Sequence, residues 1–415
     1  MIRLLLLAAT VASTVAVATA AAAPTVRYGI QDDAWLEHGT EGTIAERAAH
    51  LKSLGLDVVR ITLHWSEIEK QQGVFDWTRP DGVLNGLREA GVEPLVTIWG
   101  SPRWANGGRS TNWAPERPSD IAAFATAVAE RYSWVGLWLI WNEPNQRRWL
   151  RPTTAGDYVD RVLNPAYDAI KAVIPTAKVG GGATAPRASW GGISPIDFIR
   201  DMGAAGAKLD AYAHHPYAAN PKEGPLAQGC RTCKTLTIGT LDKLLAETSA
   251  AFGASTRLWL TEFAYQTDPP DRRAGVSLAT HARYVSEAAE RAYSLPRIDL
   301  LIHYLYKDEP SLAGWQSGLE TVDGRRKPAV QAMQLPFSQV KRLGTRIAVW
   351  GHVRGVRGPQ AYAIERRTGG SWSTLAAGKT TAKGYLRAVV EAAPKTKLRL
   401  RVAAVDRTSV ILVVR

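Results

Sequence analysis

The chain has 415 residues, enough for one large domain and a small one, and 46% of them are hydrophobic, which excludes a largely disordered protein. Its formal charge of +13 is uneven, because residues 340–415 carry 16 Lys and Arg against 3 Asp and Glu while the rest is balanced. The neutral main body argues against nucleic-acid binding, and the basic tail indicates either a solvated surface or a module for an anionic cell-wall polymer.

The first predicted element is a targeting segment at residues 1–23. Arg3 supplies a positive charge, residues 4–17 form an apolar stretch, and residues 18–20 are the small residues of a cleavage site. The apolar stretch is short for a transmembrane anchor. The sequence therefore predicts a signal peptide and a secreted or otherwise extracytoplasmic protein.

Short apolar runs alternate with helical patterns over residues 24–338. Residues 58–63 are rich in β-branched side chains, as in a buried strand, and Gly55 ends the helical stripe before them. Seven further strands are predicted at residues 26–30, 94–99, 136–141, 178–180, 209–213, 257–261 and 298–305. Eight such units favour a (β/α)8 TIM barrel. An open doubly wound sheet is disfavoured because no Gly-rich phosphate turn follows the first strand.

Two cysteines, Cys230 and Cys233, lie between the sixth and seventh predicted strands. Their spacing would suit a redox motif or half of a zinc site, but no second Cys or His pair lies nearby in the sequence. In an exported protein a small structural disulfide is the better interpretation.

The pattern changes after residues 335–336, which end the last predicted helix. Leu398, Leu400 and Val402 alternate with residues of the opposite face, as in a half-buried strand, and a Gly-Gly pair at 369–370 supplies a turn. With no clear helix, residues 339–415 are predicted to form a small, basic, antiparallel β-sandwich. It carries no catalytic constellation.

Two glutamates stand where predicted barrel strands end. Glu143 follows the fourth strand within Trp-Asn-Glu-Pro-Asn at residues 141–145, and Glu262 follows the seventh. Functional groups gather at the carboxyl ends of barrel strands, so both side chains are expected in one cleft. A lone strand-end Glu is more often a salt-bridge partner. A pair has the composition that glycosidic-bond cleavage needs, a proton donor and a second carboxylate across the sugar ring.

These motifs resemble clan A of the glycoside hydrolases, and the chain is most similar to its families 5 and 39. In that clan the acid/base is the Glu of an Asn-Glu-Pro motif after the fourth strand, and the nucleophile is a Glu after the seventh. The resemblance covers residues 27–335 and implies Glu143 as acid/base and Glu262 as nucleophile. The retaining mechanism that it implies requires no metal or organic cofactor.

The same resemblance implies supporting roles. Arg60 would keep the nucleophile ionised through charge-assisted hydrogen bonds, and Asn142 would donate to the sugar's 2-hydroxyl. His215 and Tyr217 would orient the sugar and the nucleophile. His214 is an alternative for the active histidine, or a satisfied core residue.

Aromatic residues near strand ends are candidates for stacking on sugar rings, although most buried Trp residues are simply core. Candidates for substrate contact after strands two to four are His64, Trp65, Trp99, Trp104 and Trp149. Many clan members place a Trp after the eighth strand, whereas this chain has Tyr304 and Tyr306 there, with Trp315 beyond. This departure leaves the identity of the sugar open.

The predicted function is therefore hydrolysis of O-glycosidic bonds in a polysaccharide or oligosaccharide by double displacement, carried out by a monomer. Transglycosylation by the same carboxylates is an alternative if acceptor subsites exclude water. A non-catalytic protein that binds wall glycans is disfavoured, because both carboxylates occur together with Asn142 and Arg60.

Overall fold

A computed structural model describes residues 26–415, so the predicted signal peptide at residues 1–23 lies outside the described residues. Eight parallel strands close into a barrel in which each strand pairs with the next and the last pairs with the first. The strands are β1 Arg27–Gln31, β2 Val58–His64, β3 Glu93–Trp99, β4 Leu137–Ile140, β5 Lys178–Thr184, β6 Ala211–His214, β7 Arg257–Phe263 and β8 Ile298–Tyr304. The predicted barrel is confirmed.

Helices surround the barrel between successive strands. They are α1 Asp33–His38, α2 Ile44–Ser53, α3 Trp65–Ile68, α4 Thr78–Glu89, α5 Pro118–Arg131, α6 Ala155–Tyr158, α7 Asn164–Val173, α8 Pro195–Ala204, α9 Leu241–Phe252, α10 Leu278–Ser294 and α11 Pro328–Gln334. Local sequence explains where several begin: Thr43 and Glu46 form a reciprocal capping box at α2, and Pro118 opens α5. Within the described residues, no helix is long and apolar enough to cross a membrane.

Strand β5 is longer than its sequence suggests, because its central residues are three consecutive glycines. Glycine is a poor strand former, so the pattern that predicts the strand stops at residue 180. The fold nevertheless requires small residues on both faces of this strand. A Cβ at Gly180 would lie 2.7 Å from the ring of Trp259, and one at Gly181 would lie 2.8 Å from Leu163.

Two antiparallel sheets follow the barrel. The first contains β9 Phe337–Leu343, β10 Arg346–His352 and β13 Tyr385–Glu391, and the second contains β11 Ala361–Thr368, β12 Ser371–Lys379, β14 Lys397–Val402, β15 Arg407–Thr408 and β16 Leu412–Val413. Residues from both sheets, including Ile347 and Leu400, form one buried apolar cluster. The predicted β-sandwich is confirmed, and Gly369 and Gly370 make the turn between β11 and β12 with positive φ angles.

The sandwich shares a buried core with the barrel. Trp350 and Tyr385 of the sandwich belong to the main barrel core cluster. Their ring centroids lie 5.5 and 4.4 Å from that of Tyr293 in α10. The Arg354 guanidinium lies 3.7 Å from the ring centroid of Tyr28 in β1, a cation–π contact within the core. We call these five residues the junction cluster.

The junction cluster lies at the amino-terminal ends of the barrel strands. The Tyr385 hydroxyl donates to the carbonyl of Val26, which precedes β1, at 3.4 Å. Gly55, just before β2, has a φ of +79°, and a Cβ there would lie 2.4 Å from the Cβ of Arg354. The sandwich therefore packs on the end of the barrel opposite the carboxyl ends of its strands, where contacts serve stability.

Four histidines in the described part of the chain are buried and have lowered pKa values. Burial, the largest cause, lowers the pKa of His214 to about 3 and that of His303 to about 4, and lowers the pKa values of His281 and His352 well below 6.5. An unfolded His titrates near 6.5. The stability that each neutral His contributes is therefore complete above that pH and is lost as the pH falls toward the folded pKa.

We expect His281→Leu to make folding less sensitive to acid. Neither ring nitrogen of His281 has a hydrogen-bond partner among residues 26–415, so an apolar side chain of similar volume loses no bond there. When the pH is lowered from 7 to 5, the variant should lose about 1–2 kcal/mol less of its free energy of unfolding than the wild type loses. Urea unfolding at both pH values measures this, with the exposed His38→Leu as control. Parallel pH profiles for the His281 variant and the wild type would contradict the assignment.

Candidate active site

Glu143 and Glu262 meet at the carboxyl ends of the barrel strands. Each carboxylate has an oxygen within 4.8 Å of the other and of His215 Nδ1. The two side chains are 17% and 12% exposed, so the pair lies in a mouth that solvent reaches. The barrel thus brings together two carboxylates from β4 and β7, which lie far apart in the sequence.

The backbone leaves β4 in an unusual conformation that directs Glu143 into this mouth. Trp141 and Glu143 have φ angles of +72° and +40°, a region that non-glycine residues rarely adopt. Such residues cost about 1–3 kcal/mol each and persist only where their surroundings hold them. Here the Trp141 N–H donates to the Ile98 carbonyl at 2.8 Å, and the Glu143 N–H donates to the Ala183 carbonyl at 3.0 Å.

Arg60 holds the opposite carboxylate from inside the barrel. Its side chain is 1% exposed, and its Nη1 donates to Glu262 Oε1 at 2.6 Å. Nη2 donates to Asn142 Oδ1 at 2.9 Å, and Nε donates to Thr97 Oγ1 at 3.0 Å. A buried guanidinium is tolerated only when paired in this way. Because Asn142 accepts through its oxygen, its NH₂ group is the side that can donate to a ligand.

His215 bridges the two carboxylates. Its Nε2 lies 3.3 Å from Arg60 Nη1, which can only donate, so Nε2 accepts and Nδ1 carries the proton. Nδ1 then donates to Glu143 Oε1 at 3.0 Å and lies 3.6 Å from Glu262 Oε2. The three side chains are spaced closely enough to hold a metal ion. In this tautomer, however, Nδ1 has no lone pair for a metal, and Arg60 already supplies the positive charge.

Tyr217 completes the environment of Glu262. Its hydroxyl donates to Glu262 Oε2 at 3.0 Å. Burial, and then the charge of Glu262, raise the pKa of Tyr217, so this donor keeps its proton. Burial alone would raise the pKa of Glu262, but His215, Arg60 and the Tyr217 hydrogen bond together outweigh it and lower that pKa. Glu262 is therefore an ionised, oriented carboxylate at neutral pH.

Partly exposed aromatic residues stand at the predicted positions around the mouth. Trp99 lies edge-on to both His64 and Trp149, with ring centroids 5.4 and 5.5 Å apart. On the side of Glu262, the ring of Trp315 lies 5.0 Å from Tyr217 and 5.5 Å from Tyr304. These groups offer apolar surface for a sugar ring.

Other predicted contacts are not available to a substrate. Trp65 is fully buried, with its ring stacked on Phe124 at 5.4 Å. Tyr306 is buried and donates to Glu320 Oε1 at 2.6 Å. His214 is a satisfied core histidine whose ring lies within hydrogen-bond distance of the Thr184 hydroxyl. The predictions of sugar contacts by Trp65 and Tyr306 are therefore wrong, because position at a strand end does not fix which way a side chain points. For His214, the structure bears out the alternative of a satisfied core residue.

Trp104 is only partly buried, but it belongs to the layer outside the mouth. Its indole N–H donates to the Glu69 carbonyl at 2.8 Å, and its ring meets Trp65 edge-on at 5.9 Å.

Cys230 and Cys233 are bonded to each other in an exposed loop after β6, with Cα atoms 5.4 Å apart. They lie outside the group of residues that contact the two carboxylates.

The sequence did not single out the two buried amides that follow Glu143. Asn145 Oδ1 accepts from the Ala185 N–H at 2.9 Å, and Asn145 Nδ2 donates to the Ile193 carbonyl at 3.0 Å. Gln146 Oε1 accepts from the Ser189 hydroxyl at 2.6 Å. Together they fix residues 185–193, the β5 loop, to the segment that carries Glu143. Their position directly after the Asn-Glu-Pro motif was the available signal.

No protein-family model matches the chain, and no curated protein matches it in sequence. Several solved structures do resemble it. A family 39 glycoside hydrolase from Bacteroides cellulosilyticus WH2 has a TM-score of 0.63 and 16% identity, covering 90% of this chain and 81% of that one. A monomeric beta-xylosidase from Caulobacter crescentus CB15 has a TM-score of 0.59 and 17% identity, covering 90% and 96%.

A third similar structure, the GH39 enzyme from Xanthomonas axonopodis pv. citri, has a TM-score of 0.56 and 15% identity over 90% of this chain and 93% of that one. At these identities the likeness is one of fold, and it extends over most of both chains. The fold is the one that the resemblance to clan A implies.

Proposed function

We propose that this chain is a retaining glycoside hydrolase in which Glu143 is the acid/base and Glu262 the nucleophile. The observation that carries the proposal is the pair of carboxylates with oxygens within 4.8 Å of each other. Retaining glycosidases place their carboxyl groups about 5–5.5 Å apart, whereas inverting enzymes leave about 6.5–9.5 Å for a water molecule. The spacing supports direct attack by Glu262 on the sugar.

The two carboxylates have environments that suit different roles. Glu262 receives hydrogen bonds from Arg60 and Tyr217, which keep it ionised and aim one oxygen at the anomeric carbon. Glu143 has no such cation in contact among the described residues. Its carboxylate accepts a hydrogen bond from His215 Nδ1 and faces the same mouth, which places it to exchange a proton with the leaving oxygen.

The reaction then proceeds in two displacements. In the first, a Glu262 oxygen forms a bond to the anomeric carbon while the glycosidic bond breaks and Glu143 gives its proton to the leaving oxygen. In the second, Glu143 takes a proton from water, the water oxygen bonds to the anomeric carbon, and Glu262 leaves as a carboxylate. Asn142 donates to the 2-hydroxyl throughout, an interaction that strengthens in the transition state.

We propose β-linked glycans as the substrate class. Structures of similar fold include a protein described as a beta-xylosidase and others described as family 39 enzymes. The aromatic residues around the mouth supply apolar faces for sugar rings, as the chemistry requires.

The stereochemistry of the first product tests the mechanism. Aryl β-xylosides, β-glucosides and β-mannosides would be hydrolysed while proton NMR follows the anomeric signals from the earliest time points. We expect the β anomer to form first and the α anomer to follow only by mutarotation. Release of the α anomer first, from an active substrate, would contradict a covalent intermediate on Glu262. The variant E262Q serves as the blank for contaminating activity.

We also propose that the protein acts outside the cytoplasm. The pattern of residues 1–23 and the disulfide between Cys230 and Cys233 support this, because disulfides persist in oxidising compartments. Amino-terminal sequencing of protein recovered from the culture medium should begin shortly after Ala20. Recovery only from the cytosol, with the amino terminus intact, would contradict export.

A further inference from the structure

We infer that Trp190 is a stacking platform for a sugar on the leaving-group side of the cleaved bond, and that the substrate is therefore an oligosaccharide with a sugar as leaving group. This inference rests on the proposed function. It concerns a residue at the tip of the β5 loop that makes no contact with the two carboxylates.

Trp190 is exposed to a degree that is unusual for its type. Its side chain is 96% exposed, and among the exposed large hydrophobic side chains of residues 26–415 it is the one aromatic. Single exposed aliphatic residues are common on protein surfaces. A whole indole ring in water contributes nothing to the core, but it offers a flat apolar face with an N–H at its edge.

The backbone at Trp190 also disfavours this residue. The Gly192 N–H donates to the Ser189 carbonyl at 2.9 Å, which closes a tight turn. The two central residues, Trp190 and Gly191, have φ angles of +49° and +81°, the combination of a type I′ turn. Gly, Asn and Asp are the usual residues at such positions. The turn would form more easily without the indole, so its presence indicates a role outside folding.

The loop that carries Trp190 is fixed to the segment of the acid/base. Gln146 Oε1 accepts from both the Ser189 N–H, at 3.2 Å, and the Ser189 hydroxyl, at 2.6 Å. The Gln146 N–H in turn donates to the Glu143 carbonyl at 2.8 Å. Trp190 is thus connected to Glu143 through one buried amide and one serine. These bonds place the turn that carries Trp190 relative to the segment of the acid/base.

This connection indicates which part of the substrate meets Trp190. The acid/base must face the glycosidic oxygen that leaves, whereas the nucleophile faces the sugar ring that stays. Glu262 is bonded to Arg60 of β2 and to Tyr217, which follows β6. The backbone of Glu143 is bonded to Ala183 at the end of β5, where the β5 loop begins, and His215 lies between the two carboxylates. The β5 loop therefore borders the leaving group. A platform at its exposed tip would meet a sugar beyond the bond that is cleaved.

The test compares substrates with and without sugars on that side. We would measure kcat/KM on aryl monoglycosides and on β-1,4-linked xylo-, gluco- and manno-oligosaccharides of two to six units. Trp190→Asn removes the ring but suits the turn, so the melting temperature should be unchanged or higher. We expect kcat/KM to fall about tenfold on the longer oligosaccharides and to stay unchanged on the aryl monoglycosides. Trp190→Phe, which keeps an aromatic ring, should retain most of the wild-type kcat/KM on the longer oligosaccharides.

Binding of the same oligosaccharides to E262Q, with and without Trp190→Asn, separates this inference from the proposed function. Weaker binding of the longer oligosaccharides in the double variant supports the platform, even if the wild type hydrolyses none of the substrates and the proposed function fails. Equal binding at every length, or an equal loss of kcat/KM on aryl monoglycosides and oligosaccharides, would overturn it. Trp372→Ala, on a partly exposed Trp of the sandwich, is the matched control and should change neither measurement.

Discussion

Replacing Glu262 with Ala is expected to lower kcat by at least about 10⁴-fold on every active substrate, a loss of about 5 kcal/mol of transition-state stabilisation. The side chain is proposed to form the covalent bond to the sugar, and the side chains around it hold it ionised for that purpose. Steady-state kinetics with aryl glycosides measure the loss. A variant that keeps more than about a tenth of the wild-type kcat would contradict the assignment.

Two further variants make this result interpretable. Removal of the carboxylate leaves Arg60 as a buried charge without its partner, which can destabilise the fold. E262Q keeps a hydrogen-bond acceptor for Arg60, so it should fold normally and remain inactive.

Glu143→Ala should behave differently on a dinitrophenyl glycoside, because dinitrophenolate leaves without needing a proton. We expect a burst of dinitrophenol followed by slow turnover, since the second displacement lacks its base.

The second large effect is expected at the junction between barrel and sandwich. Trp350→Ala should lower the free energy of unfolding by about 3–5 kcal/mol, the usual range for removing a buried Trp. The ring is fully buried among residues of both units. Urea unfolding followed by far-UV circular dichroism and by fluorescence measures the change. We expect a single transition in both signals, because one continuous core should unfold cooperatively.

The controls separate packing from hydrogen bonding. Within the described part of the chain the indole N–H of Trp350 has no partner, so Trp350→Phe loses little beyond volume and should cost far less than the Ala variant. Trp372→Ala removes a partly exposed ring from the second sheet and should have a small effect. Two separate unfolding transitions, of which Trp350→Ala shifts the earlier and leaves the later unchanged, would show that the sandwich is an independent unit.

The sequence alone predicted the barrel because its strands are buried on both faces and therefore appear as continuous apolar runs. It also predicted the setting of Glu143, since the Asn-Glu-Pro motif follows such a run directly. The role of Glu262 could be assigned only if the strands were counted correctly, so that this residue followed the seventh. Strand β5 was predicted too short because its glycines make room for the side chains of Trp259 and Leu163, which only the folded barrel and its surrounding helices bring near them.

The direction of individual side chains could not be predicted in the same way. Trp65 follows β2 directly, yet it begins a helical turn that places its ring beneath Phe124. Trp190 lies between the fifth and sixth predicted strands, in a stretch where exposure cannot be inferred from its neighbours. The junction cluster combines residues from β1, α10 and the sandwich, so its members have no shared sequence pattern.

The junction cluster also bears on how this architecture can change during evolution. A binding domain joined by a flexible linker can be gained, lost or exchanged by recombination without harm to its catalytic neighbour. Here Arg354 packs on a ring of the first barrel strand, and Trp350 and Tyr385 pack on Tyr293 of α10. A recombination point between barrel and sandwich would expose both halves of one core. The two units are therefore expected to be inherited together and to accumulate compensating substitutions across their shared surface.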